Sequence, residues 1–133
     1  MGRRLTFAQQ ALGLQSYFPD AHIEIGRHKL KFVADLVPSP LSETYSDRIE
    51  FDGVHRPVIK VLSPALRHPP EGDLPHTFEE DALCLPLPGE WSASELITNT
   101  IVPWTVEWLL HYEIWLVTEG TWCGGGHEPS ALN

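Results

Sequence analysis

Hydrophobic and polar residues alternate with period two through much of the first half of the chain, and the pattern turns helical after Trp91. Ile23 and Ile25 alternate with polar neighbours, and Gly26 offers a bend. Leu30, Phe32, Ala34 and Leu36 alternate with Lys31, Val33, Asp35 and Val37 until Pro38-Ser39-Pro40 breaks the run. Tyr45, Asp47, Ile49 and Phe51 alternate with Ser46, Arg48 and Glu50, the pattern of a strand with one wet face. Asp52-Gly53 is a turn signal, residues 57–62 form a further strand, and Ser63-Pro64 ends it. Strands joined so closely imply an antiparallel meander of about four strands.

Helical spacing marks both ends of this meander. Leu5 to Phe18 predicts an amphipathic opening helix, with Leu5, Ala8, Leu12 and the Tyr17/Phe18 pair on its apolar face. Gly13 weakens it, and Pro19-Asp20 ends it. Ser92-Ala93-Ser94-Glu95 fits a capping box ahead of Leu96, Ile97 and Ile101. Pro103 has no amide to continue that helix, so a break is expected there. A second helix then runs from about Trp104 to Thr118 and ends at Gly120. Its Trp104, Trp108 and Trp115 recur at helical spacing and read as core. The expected fold class is α+β, one domain over residues 1–133, with C-terminal helices broken at Pro103.

Composition narrows the function classes. In 133 residues, 42% hydrophobic and 20% charged content describe a globular chain with a real core. A net charge of −9 argues against nucleic acid as partner. Two cysteines do not make a disulfide framework, and Met1–Leu14 holds no apolar run long enough for a signal peptide. The most apolar stretch, Ile101–Val117, is interrupted by Glu107, His111 and Glu113, which describes a buried helix and not a membrane span. A cytoplasmic protein with reduced thiols is expected.

The candidate chemistry gathers in the last third. Residues 64–81 form a Pro-rich loop that delivers the chain to Ala82-Leu83-Cys84-Leu85, a short strand-like run. Cys84 reads either as a small buried hydrophobe or as a nucleophile that carries an acyl group as a thioester. The acidic run Glu79-Glu80-Asp81, if close, would raise its thiol pKa. His76 lies eight residues upstream, where it would orient the loop or polarise a carbonyl. Cys123, before three glycines, is the rival nucleophile, held by a more mobile backbone. A zinc site from His76, Cys84, Cys123 and His127 would match no compact ligand spacing, so no metal is expected. The glycine run is not a phosphate loop, since no Lys-Ser/Thr follows it, and no cofactor is expected.

Helix, antiparallel meander, Pro-rich loop, Leu-Cys-Leu, a nearby Trp and then helices is an order that resembles the ubiquitin-conjugating-enzyme (UBC) fold. Pro75-His76-Thr77-Phe78, Leu83-Cys84-Leu85, Gly89-Glu90-Trp91, residues 100–109 (TIVPWTVEWL), Tyr112-Glu113-Ile114-Trp115-Leu116 and the glycine-rich Gly120–His127 resemble the bacterial conjugating enzyme of type II CBASS antiphage systems. That resemblance implies a UBC-like fold and a cysteine transferase that works through a thioester. The cysteine would take the C-terminal carboxyl of a cGAS-like nucleotidyltransferase, pass it to a protein acceptor amine, and so prime the synthase. By position, Cys84 matches the acceptor cysteine and His76 the His of the preceding motif. Eukaryotic relatives carry an Asn in that motif to stabilise the oxyanion; Pro75-His76-Thr77 has none. Two other readings stand beside this one: a catalytically silent UBC-fold adaptor that only binds the synthase, and a zinc-stabilised binding module.

Overall fold

A computed structural model of the chain describes residues 3–85 and 91–118. The opening helix α1 spans Phe7–Tyr17. Thr6 caps it, its hydroxyl accepting the Gln9 amide at 3.1 Å while Gln9 Oε1 accepts the Thr6 amide at 2.8 Å. This reciprocal box fixes where the helix starts. The buried face is not the one expected. Leu12 and Tyr17 are 69% and 67% exposed, whereas Gln10 and Leu14 are buried, with Phe7, Ala11 and Phe18 packed on the core beside them. The true stripe contains a glutamine, which the hydrophobic pattern passes over.

Four strands follow: β1 (His22–Ile25), β2 (Leu30–Leu36), β3 (Tyr45–Phe51) and β4 (Val58–Ser63). They pair in chain order, each antiparallel to the next. Lys29 O accepts the Gly26 amide at 2.8 Å to close the first hairpin. At the last turn Asp52 Oδ1 accepts the amides of Val54 and His55, each at 2.8 Å, and Gly53 takes a φ of 95° that favours glycine. The alternation is read out as expected: Leu30, Phe32, Ala34 and Leu36 of β2 and Tyr45, Asp47, Ile49 and Phe51 of β3 are buried on one face. Against that face pack two rings at the ends of α1, Phe7 edge-on to Phe51 and Phe18, just past the helix, edge-on to Phe32.

The C-terminal half corrects the expected break. The helix α2 spans Ile101–Val117 and runs straight through Pro103. With Thr100 as N-cap, Pro103 is the third helical residue, where an amide has no intrahelical acceptor and a missing one costs nothing. The ladder begins just beyond it, with the Trp104 amide on Thr100 O at 3.1 Å. The segment before α2 is no α-helix either. Glu95 Oε2 accepts the Ser92 amide at 3.2 Å, half of the expected box, but the chain closes only a turn and then a 3-10 turn at Ile97–Asn99. The reason is tertiary. The buried Gln10 amide donates to Glu95 O and accepts the Ile97 amide, each at 2.9 Å, and so holds this segment against α1. Gly13 permits the approach, since a Cβ there would lie 3.1 Å from Thr98 Oγ1. The α2 face that covers the sheet carries Ile101, Thr105, Trp108, Leu109, Tyr112 and Trp115. Trp108 and Trp115 are buried as expected, and Trp104 is half-buried. Among the described residues no helix is long and apolar enough to cross a membrane.

Candidate functional site

The Pro-rich loop after β4 is not shapeless where it reaches Cys84. Thr77 bridges Leu83 in antiparallel fashion, and the Phe78 amide donates to Ala82 O at 2.7 Å. Residues 76–84 therefore form a tight hairpin whose tip is a 3-10 turn, Glu79–Asp81. The expected strand through Leu83-Cys84-Leu85 reduces to this one bridge. The tip demands left-handed backbone at Glu80 (φ 58°) and Asp81 (φ 60°), and His76 at its base has φ 55°. Non-glycine residues adopt such angles at a cost of roughly 1–3 kcal/mol each, so the surroundings must hold them. Lys60 Nζ meets Glu80 at 2.8 Å, His68 Nε2 meets Asp81 at 2.6 Å, and the Leu83 amide donates to Ile59 O of β4 at 2.9 Å.

His76 and Cys84 are brought together through the main chain. His76 O accepts the Cys84 amide at 3.0 Å and, on its other side, the indole Nε1–H of Trp108 at 2.9 Å. Trp108 stacks on Tyr112 with ring centroids 5.6 Å apart, and the Tyr112 hydroxyl accepts the Arg67 amide at 2.7 Å. One helix face thus supports the loop at two points. Cys84 is buried, 7% exposed, and its amide shares the His76 carbonyl with α2.

Burial pushes the Cys84 thiol above its ordinary pKa, and the charge of Arg56 acts in the opposite direction. The acidic run, expected as the cause, is not: Glu80 and Asp81 are taken up by Lys60 and His68. The two leucines that flank Cys84 line an apolar groove of about 380 Å³, together with Arg56, Pro57, Val58 and Phe78 among others; Cys84 itself does not line it. Half-exposed Phe78 forms its rim, with the Arg56 guanidinium carbon 5.6 Å from its ring centroid. Sequence reasoning missed Arg56, Trp108 and Tyr112 as parts of this site. Trp108 was read as core, Tyr112 only as part of a motif, and nothing in the spacing ties Arg56 to a cysteine 28 positions away.

Cys123 and His127, the other half of the zinc quartet, lie outside the described residues, as does the expected helix end at Gly120. Among the described residues no three His, Cys, Asp or Glu side chains gather as metal ligands would.

A model of the type II CBASS E2 protein family matches residues 10–129. The chain belongs to the type II CBASS E2 family. The match takes in most of α1, the whole sheet, the hairpin and α2, so His76, Cys84, Arg56 and Trp108 all fall inside it. Comparison with curated proteins gave no match. For an E2 family member the α+β order seen here, one helix, a four-stranded antiparallel meander and a C-terminal helix, is consistent with the UBC-like fold that the motifs implied.

Proposed function

We propose that this E2 family member is a cysteine-dependent acyl transferase, with Cys84 as the acyl acceptor. The Cys84 sulfur attacks the activated C-terminal carbonyl of a partner protein, its proton passes to solvent, and the donor's leaving group departs with the bonding pair. An acceptor amine then attacks the thioester carbonyl, an amide forms, and the thiol is regenerated. In a type II CBASS setting the fitting donor is the C-terminal tail of a cGAS-like nucleotidyltransferase, which the modification primes. The observation that carries this reading is the shared His76 carbonyl, which ties the Cys84 main chain to Trp108 and fixes the backbone that bears the sulfur. A locked backbone of this kind positions a nucleophile well. His76 contributes that carbonyl, and its imidazole is proposed to polarise the reacting carbonyl or act as acid/base.

The test is a non-reducing gel of the purified chain with the nucleotidyltransferase and an activated donor. A thiol-labile adduct that disappears in Cys84→Ser supports the reading; an adduct untouched by that substitution would falsify it.

A second reading has one observation in its favour. A thiol 7% exposed and shifted away from thiolate is poorly armed, as it would be in an adaptor that binds the synthase without chemistry. Stable binding to the partner with no adduct in any form would select it.

A further inference from the structure

The groove that Leu83 and Leu85 share with the start of β4 differs in chemistry from its neighbours. Two other surface pockets carry carboxylates, Asp20 and Asp35 in one, Glu80 and Asp81 in the other. This one has apolar walls, and the polar residues that line it are His55 and Arg56, both basic. His55 is paired with Asp52 at 2.7 Å. Arg48 of β3 and Lys60 of β4 each meet a glutamate, but among the described residues Arg56 meets no carboxylate. Acidic side chains are in excess in a chain of net charge −9, and still this guanidinium is left open to an outside anion. The walls are open as well. Phe78 is 50% and Val58 48% exposed, whereas the other four phenylalanines are buried or packed on the core. Both walls are also fixed. The Leu83 amide donates to Ile59 O at 2.9 Å and ties the hairpin to β4, and the Arg56 guanidinium carbon lies 5.6 Å from the Phe78 ring centroid, which holds the charge at the rim.

We propose that this groove docks a short extended segment of a partner protein, one in which a large apolar residue stands next to an aspartate or glutamate. The apolar side chain enters between Phe78 and the leucines, and the carboxylate meets Arg56, whose planar fork takes both oxygens at once. An apolar anchor beside one fixed charge is a chemistry that peptide grooves use for recognition. Strand addition is not the mode here, because the Ile59 carbonyl at this edge of β4 is already taken by Leu83. A basic peptide would be repelled by Arg56, and nucleic acid or an anionic lipid surface by the net charge of the whole chain. Leu83 and Leu85 are the chain neighbours of Cys84, so a partner seated here is held at the candidate loop. The docking does not depend on what the thiol does.

The test offers the full chain a phage-displayed library of short random peptides, and the enriched sequences are remade with a fluorescein label for anisotropy titrations. Sequences that set Leu, Ile, Phe or Trp beside Asp or Glu are expected to be enriched. Arg56→Gln should weaken such a peptide about tenfold, and Phe78→Ser by a similar factor. Arg56→Glu should reject the peptide and accept its counterpart with Lys in place of the acid, a swap that a merely unfolded variant could not show. Amide shift changes in the nitrogen-15-labelled parent should gather at residues 55–59 and 78–85. An empty selection, enriched peptides without an acid, affinity indifferent to Arg56→Gln, or shift changes centred elsewhere overturn the assignment. Self-association of the parent that Arg56→Glu abolishes would give the groove to a second copy of the chain and overturn it too.

Discussion

Trp108 of α2 and His76 of the loop are joined by one hydrogen bond, indole Nε1 to main-chain oxygen at 2.9 Å, and the same oxygen receives the amide of Cys84. A helix buried against the sheet thereby sets the position of a cysteine 24 residues earlier in the chain. The arrangement also accounts for the left-handed backbone at His76, which turns its carbonyl to where both donors can reach it.

Trp108→Phe keeps an aromatic ring but removes the donor. Stability should fall by about 1–3 kcal/mol from the lost hydrogen bond and volume, measured by thermal melting. Released from its clamp, Cys84 should alkylate faster while acyl transfer slows at least ~10-fold, because the thiol gains access and loses its placement. Parallel rises in both rates would contradict the clamp.

The two cysteines should separate cleanly. Cys123→Ser is expected to leave transfer mostly intact, and Cys84→Ser to replace the thioester by a slowly turning oxyester or abolish it. His76→Ala should slow transfer by ~10²-fold if the imidazole acts on the reacting carbonyl. His76→Gly, which accepts the left-handed backbone freely, isolates the imidazole from the main-chain role: equal loss in both variants assigns the effect to the ring.

Asp47 gives a pH prediction. Its side chain is 2% exposed on the core face of β3, neither oxygen has a hydrogen-bond partner, and it stands at an irregularity in the β3–β4 register. Burial first, and the charge of Asp35 second, push its carboxyl up to about 8. The folded state therefore prefers the protonated acid. The stability this confers is full below the unfolded value near 4 and is lost as pH rises through about 8. Each unit between the two is worth about 1.4 kcal/mol, so on the order of 5 kcal/mol separates the ends of that window. Asp47→Asn should match the parent at pH 4 and exceed it increasingly up to pH 8, as urea melts at several pH values would reveal. A constant offset between the two proteins would mean that Asp47 does not titrate in this range.

Glu113 ties α2 to the loop before β3. Its carboxylate accepts the Ser42 hydroxyl at 2.5 Å and the Tyr45 hydroxyl at 2.7 Å. Burial and this carboxylate hold the Tyr45 phenol well above its ordinary pKa. Glu113→Gln should cost about 1–3 kcal/mol and let Tyr45 ionise at lower pH in an ultraviolet titration. An unchanged titration curve would remove Glu113 as a cause.

Local pattern carried the strands further than the helices. β2 and β3 bury every second residue on one face, so period two alone places them and their buried sides. The face of α1 was misread because one of its two fully buried positions is a glutamine, legible only through partners far along the chain. Pro103 was misread because a proline deep in a helix and one in its first turn look alike until the start is known. At the site, Cys84 and His76 were visible as motif residues and do come together. What holds them was not visible, because Trp108 reaches the loop through the fold and not through spacing.

The Gln10 side chain meets main-chain groups 85 and 87 positions further on. A chain synthesised from its N-terminus therefore releases α1 long before the groups that complete it exist. Made first, this helix is completed among the last: the Gln10 side chain has only water for partners until Glu95 and Ile97 have left the ribosome. Nascent chains stalled ahead of Ser92 should yield α1 readily to limited proteolysis, and chains extended past α2 should resist. Protection already present in the shorter chains would mean that the sheet alone is enough to hold it.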